Sequence, residues 1–176
     1  MHWLRIIAIL LIAALLQAGL VPALKVRGAA PDLLLLIAAY IAVREPLEGR
    51  WRWNAFWVGW AAGLIEDLYS SGAFVPPGGT ALVFGLVAVA ISRLGADLFL
   101  DSAIAQILFL APVALAAQIA LAVMRVLYTP GPTPVMWAAV LGTACYTALV
   151  APLAFAALRP LERFIGVRSR RSFWRA

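Results

Sequence analysis

The sequence is poor in charged residues, and it has a single cysteine and a single histidine. Only 12% of its 176 residues are charged, with 14 basic and 8 acidic side chains. One cysteine, Cys145, excludes an internal disulfide and a metal site built from several cysteines. The one histidine, His2, lies at the start of the chain, far from any candidate nucleophile. These shortages leave few groups for catalysis, and we expect no metal, no cofactor and no enzymatic activity.

Apolar residues dominate what remains. They make up 65% of the chain, and the mean hydropathy is +0.97, whereas a soluble domain is roughly 45–50% apolar. The excess lies in repeated long runs, which is typical of a multi-pass membrane protein. The first run continues to Pro22 with no clear signal-peptidase site, so we interpret it as a retained helix. We predict one all-α polytopic membrane domain over residues 1–158 and a basic tail over residues 159–176.

Six apolar segments predict six transmembrane helices. The second segment has thirteen residues, which rise only about 20 Å in a helix, so it borrows flanking residues or does not span fully. The predicted segments are residues 3–21, 31–43, 54–69, 80–94, 102–127 and 135–158.

The distribution of basic residues predicts the orientation of these segments. With six spans, both termini share one side, and that side holds eleven of the fourteen basic residues. Lys25, Arg27 and Arg125 lie on the other side. Because basic residues favour the cytoplasmic side, we predict that both termini are cytoplasmic. We interpret the net charge of +6 as a topology signal rather than a nucleic-acid surface. The Arg-rich tail is expected to contact anionic lipids, or alternatively an acidic partner.

An adjacent pair of acids lies within the third segment. A carboxylate at membrane depth is unfavourable unless it faces protein or water, so Glu66 and Asp67 indicate a buried or functional face. Gly59, Gly63 and Asp67 recur every four residues and share one helix face, where small residues let a second helix approach closely. The orientation places both acids near the outer end of the segment. We hypothesise that Asp67 pairs with Arg125 of the fifth segment.

The order and spacing of several short motifs resemble the family of rod shape-determining protein MreD. The resemblance covers about residues 31–94 with motifs, and the rest of the chain by length and hydropathy. The matching features are Pro31-Asp32 followed by four leucines, then Tyr40, then Gly59, Gly63 and Asp67 in one run, then Ser71-Gly72, then Gly79-Thr-Ala-Leu82, and then Gly85.

This resemblance implies a non-enzymatic subunit of the bacterial cell-elongation machinery in the inner membrane. It implies a direct partner, MreC, and a larger complex with MreB and the cell-wall synthases, without nucleic acid. It also implies a fold similar to the substrate-binding subunits of energy-coupling-factor transporters. The structural or interaction candidates are Pro31, Asp32, Gly59, Gly63, Glu66, Asp67, Gly72, Gly79 and Arg125.

The sequence leaves two other classes of function open. A solute-binding subunit of a small-molecule transporter could use four polar side chains to line an outward-facing pocket: Glu66, Asp67, Gln106 and Gln118. An intramembrane enzyme would need a catalytic constellation, but Ser70 and Ser71 have no histidine to activate them. The loop that follows Asp67 lacks the lysine of a phosphate-binding loop, so we predict a simple turn there.

Overall fold

The computed structural model describes residues 3–26, 28–44, 52–70, 76–94, 102–128 and 134–161. This part of the chain forms six α-helices, followed by one turn of 3₁₀ helix at Arg159–Leu161. The α-helices are α1 Trp3–Gly19, α2 Leu33–Arg44, α3 Arg52–Ser70, α4 Gly79–Leu94, α5 Ala103–Tyr128 and α6 Pro134–Leu158.

The helices confirm the all-α prediction and the positions of the six segments. Every helix begins and ends within two residues of its predicted bounds. Two of them, α5 and the stretch Trp137–Leu161, are long and apolar enough to cross a membrane, whereas α1, α2 and α4 are shorter apolar helices. The helical class is therefore established, and six membrane crossings stay a prediction.

The central helix of the fold is α2. It packs against α1, α3, α4 and α6, while α3 pairs most extensively with α4 and α5 with α6. Leu34, Leu35 and Leu36 are at most 1% exposed, because a helix surrounded on all sides needs apolar residues all round. Tyr40 extends this contact with an edge-to-face packing on Phe155 of α6, at a centroid distance of 5.0 Å.

The beginning of α2 lies inside the fold, opposite the middle of α6. The amide N of Asp32 donates to Thr147 Oγ1 at 3.0 Å, and Thr147 is near the midpoint of the 25-residue helix α6. The connection from α1 reaches the level of the middle of α6 through a tight turn in which Gly28 has a φ of +88°. Ala29 then lies so close to Gly142 that a Cβ on the glycine would be 2.7 Å from the Cβ of Ala29.

This placement explains the shortness of α2. Its 12 residues rise only about 18 Å, which is about half the length of α6. The connection from α1 to α2 runs alongside the other half of α6, so α2 does not need to be longer. Its first amide groups are consequently far from bulk water and need acceptors within the protein.

Candidate functional site

Asp32 is the N-cap residue of α2. Its Oδ1 accepts a hydrogen bond from Leu35 N at 2.9 Å, and its carbonyl accepts from Leu36 N at 3.2 Å. This is the usual geometry of an aspartate cap, in which the side chain replaces the missing helical acceptor. Asp32 is only 3% exposed, so the cap is made in the interior rather than at the surface.

Gln17, in the last turn of α1, completes the start of α2. Its Oε1 accepts from Leu33 N at 2.9 Å and from Leu34 N at 3.1 Å. The N–H of Asp32 itself is taken by Thr147 Oγ1 at 3.0 Å. Three side chains from α1, α6 and the cap position thus satisfy the amides that the first turn of a helix leaves open, and they join three parts of the chain.

Close backbone contact joins α3 to α4, as the spacing of Gly59 and Gly63 predicted. A Cβ at Gly63 would lie 2.6 Å from Ala81 Cα and 2.7 Å from Ala81 N. A Cβ at Gly59 would lie 2.7 Å from Ala88 Cβ. Because the obstructing atoms at Gly63 belong to the backbone, the two helices can be this close only where a side chain is absent.

Asp67 lies one turn beyond Gly63 on this face and caps α4. Its Oδ2 accepts from Gly78 N at 3.0 Å and from Ala81 N at 3.3 Å. Gly78, whose φ is +87°, precedes the first residue of α4, and its carbonyl accepts from Leu82 N at 3.0 Å. A carboxylate at a helix N-terminus is stabilised by the open amides and by the helix dipole. Asp67 therefore joins the end of α3 to the start of α4.

Glu66 differs from its neighbour in how its carboxylate is engaged. Its Oε2 is buried and has no hydrogen-bond partner in the described part of the chain, and the same holds for Oδ2 of Asp32. Of the charged side chains that act on Glu66, Asp32 acts most strongly, by repulsion, followed by Asp67 and then by the attraction of Arg125. Asp32 at the beginning of α2 and Glu66 near the end of α3 thus interact electrostatically.

The remaining predicted residues have simpler positions. Pro31 and Gly79 are buried next to the two capped helix starts, and Arg125 is exposed in the last turn of α5. Gly72 lies outside the described residues. The hypothesis that Asp67 pairs with Arg125 stays a prediction: the carboxylate of Asp67 accepts hydrogen bonds from backbone amides, and Arg125 attracts Glu66.

Gln17 and Thr147 are the functional side chains that sequence reasoning missed. Each is a polar residue in an apolar helix, and this was the available signal, because a polar group in such a setting needs a hydrogen-bond partner. The partner itself was not visible, since Thr147 lies 115 residues from Asp32.

We expect Asp67→Ala to reduce stability more than Glu66→Ala, by about 1–3 kcal/mol, because it removes a charged acceptor from the amides of Gly78 and Ala81 at the start of α4. Thermal unfolding in detergent, followed by tryptophan fluorescence, measures the difference. Asp67→Asn, which keeps an acceptor oxygen, should fall between Asp67→Ala and the unmodified protein. Equal melting temperatures for the two alanine variants would contradict the capping role of Asp67.

The fold and the site by themselves define a class of protein. It is an all-helical, strongly apolar protein in which several buried or half-buried polar side chains cap helix ends, which is typical of a helical membrane protein. The sequence model of rod shape-determining protein MreD matches residues 1–153, and the chain belongs to this family. Comparisons with curated proteins and with solved structures gave no match. Membership gives the protein a role in rod shape determination and confirms the resemblance seen in the sequence.

Proposed function

We propose that the protein is a non-enzymatic membrane scaffold of the bacterial cell-elongation complex and that MreC is its direct partner. The single observation that carries the proposal is the way in which four buried or half-buried polar side chains are used. Asp32, Gln17, Thr147 and Asp67 all bond backbone amides at helix ends. Side chains used in this way hold helices in fixed relative positions. A scaffold needs this rigidity, because it positions other proteins.

The surface supports insertion in the inner membrane with six crossings. Large apolar side chains are exposed on several helices, among them Leu4 at 84%, Leu15 at 73% and Leu153 at 73%. In water such surfaces are unfavourable, whereas hydrocarbon accepts them. On α3, Trp53 is 66% exposed, and an edge-to-face series of rings continues from it to Phe56, Trp57 and Trp60. Aromatic residues of this kind favour the membrane interface.

The proposed orientation has both termini in the cytoplasm, with the basic tail on anionic lipids. MreB and the cell-wall synthases would join through the larger complex. The proposed arrangement of the six helices is that of the substrate-binding subunits of energy-coupling-factor transporters, which the resemblance to the family implies.

Co-purification tests the scaffold. Affinity-tagged protein expressed together with MreC should retain MreC through detergent extraction and size exclusion, with no added solute. The matched control is a tagged variant with Gly63→Leu, which keeps the exposed surface composition but disrupts the contact between α3 and α4. Loss of MreC from the unmodified protein, under conditions in which it remains folded and monodisperse, would contradict direct partnership.

The alternative, a solute-binding subunit of a transporter, is favoured by Oε2 of Glu66, which has no hydrogen-bond partner among the described residues. Of the other side chains it would use, Asp67 is engaged by α4. Arg125 is the base that attracts Glu66. Gln106 is nineteen residues before Arg125 on α5, so the two residues are about 28 Å apart along the helix. Bound small molecule in the purified protein, together with a rise in melting temperature on its addition, would support this alternative against the scaffold.

A further inference from the structure

Two carboxylates that repel each other, those of Asp32 and Glu66, each have one buried oxygen that no group in the described part of the chain bonds. Asp32 is 3% exposed, and its Oδ1 is committed to Leu35 N at 2.9 Å, but its Oδ2 is buried without a partner among the described residues. Glu66 contributes a second buried oxygen of this kind, Oε2. Buried polar atoms are normally hydrogen-bonded. Two ionised carboxylates cannot hydrogen-bond each other, because each is only an acceptor. These two oxygens therefore need a third partner.

The charges around these oxygens indicate the sign of the occupant. The groups that act on Glu66 are Asp32 from the start of α2, Asp67 on α3 itself, and Arg125 from α5. Three acids and one base leave an excess of negative charge in this part of the described structure. The open amides of α4 stabilise Asp67, and those of α2 are engaged by Oδ1 of Asp32 and by Gln17. Of the two repulsions that act on Glu66, that of Asp32 is the larger.

We propose that Asp32 and Glu66 form a binding site for one monovalent cation, a proton or a sodium ion, held by their two free oxygens. A bound proton turns one carboxylate into a hydroxyl donor, so that its O–H can satisfy an acceptor oxygen and remove one negative charge. A bound Na⁺ does the same by coordination to carboxylate oxygens, which are the hard ligands it prefers. Either ion couples the start of α2 to the end of α3. The site is separate from the scaffold role and does not depend on it.

The side-chain chemistry allows a sharp set of variants. Glu66→Gln and Asp32→Asn keep the size of each side chain and replace one oxygen by an NH₂ donor. In each variant the new donor stands where the cation would bind. Asp32→Asn also retains an oxygen that can cap Leu35 N, and asparagine is as good a cap as aspartate, so both variants are expected to fold. Asp67→Asn is the matched control, because Asp67 is adjacent but has its Oδ2 bonded to backbone amides.

The test uses the full chain in detergent and has two readouts. The first is the infrared C=O stretching band of a protonated carboxyl group at neutral pH, identified by its shift in D₂O. The second is the melting temperature in NaCl compared with choline chloride at equal ionic strength. A site that holds a proton gives the band, which Glu66→Gln and Asp32→Asn remove and Asp67→Asn retains.

A site that holds sodium instead gives a melting temperature at least about 3 °C higher in NaCl, and this increase is absent in Glu66→Gln and retained in Asp67→Asn. Absence of both the carboxyl band and the sodium effect in folded, unmodified protein overturns the proposal. So does either signal if it survives unchanged in both Glu66→Gln and Asp32→Asn. Binding of MreC is measured in a separate experiment. The cation site can therefore be confirmed or rejected whether or not the scaffold proposal holds.

Discussion

Replacement of Gln17 by leucine is expected to destabilise the folded protein by about 2–4 kcal/mol. Leucine matches glutamine closely in size, so the packing of α1 is retained and only the acceptor is lost. The amides of Leu33 and Leu34 then have no partner at the buried start of α2. Each buried donor left without an acceptor costs about 1–3 kcal/mol, and the buried position of these amides keeps bulk water from relieving that cost.

Thermal unfolding in detergent measures the loss of stability from Gln17→Leu, and amide hydrogen exchange locates it. Exchange should accelerate at Leu33 and Leu34, and the far end of α2 should be less affected. Gln118→Leu on α5 is the matched control, since Gln118 is half-buried in a helix of similar composition. If Gln17→Leu and Gln118→Leu have the same melting temperature, the bonds from Gln17 to α2 do not contribute to stability.

Replacement of Gly63 by alanine should destabilise the protein by about 1–3 kcal/mol, the usual effect of overpacking a well-filled contact. The added methyl group would lie 2.6 Å from Ala81 Cα, and a backbone atom cannot rotate away as a side chain does. The two helices would have to separate, and Asp67 would then lose its bonds to the start of α4. Gly63→Leu should prevent assembly of α3 with α4 altogether.

Gly19→Ala is the control for Gly63→Ala. Gly19 ends α1 with nothing within 4 Å of an added Cβ, and alanine has the higher helix propensity. Its melting temperature should therefore equal or exceed that of the unmodified protein, whereas Gly63→Ala should lower it by roughly 2–4 °C for each kcal/mol lost. A Gly63→Ala variant as stable as Gly19→Ala would mean that α3 and α4 can separate without cost.

The positions of the helices were predictable because they depend on local properties of the chain. Long apolar runs bounded by Gly, Pro and charged residues define helices through hydrogen bonds between near neighbours, and all six appear within two residues of the expected bounds. The packing face of Gly59 and Gly63 was equally visible, because positions four apart share one side of a helix. The family was also accessible, since its motifs depend on order and spacing along the sequence.

The candidate site was only partly predictable. The sequence identified Asp32, Glu66 and Asp67, but it did not reveal that the carboxylate of Asp67 accepts hydrogen bonds from Gly78 N and Ala81 N at the start of α4. It gave no reason to connect Asp32 with Glu66, and it passed over Gln17 and Thr147. Each of these contacts depends on the depth and rotation of one helix relative to another, which no single segment encodes.

The sequence by itself determined the helical class, the location of the helices, the glycine face of α3 and the family. Only the tertiary structure decided that α2 begins opposite the middle of α6, with its amides held by Gln17 and by Asp32. It also decided that Asp32 and Glu66 interact in the interior. The physical reason is that helix formation is satisfied within a segment, whereas the open amides at helix ends and the buried carboxylates find their partners only when separate segments pack together.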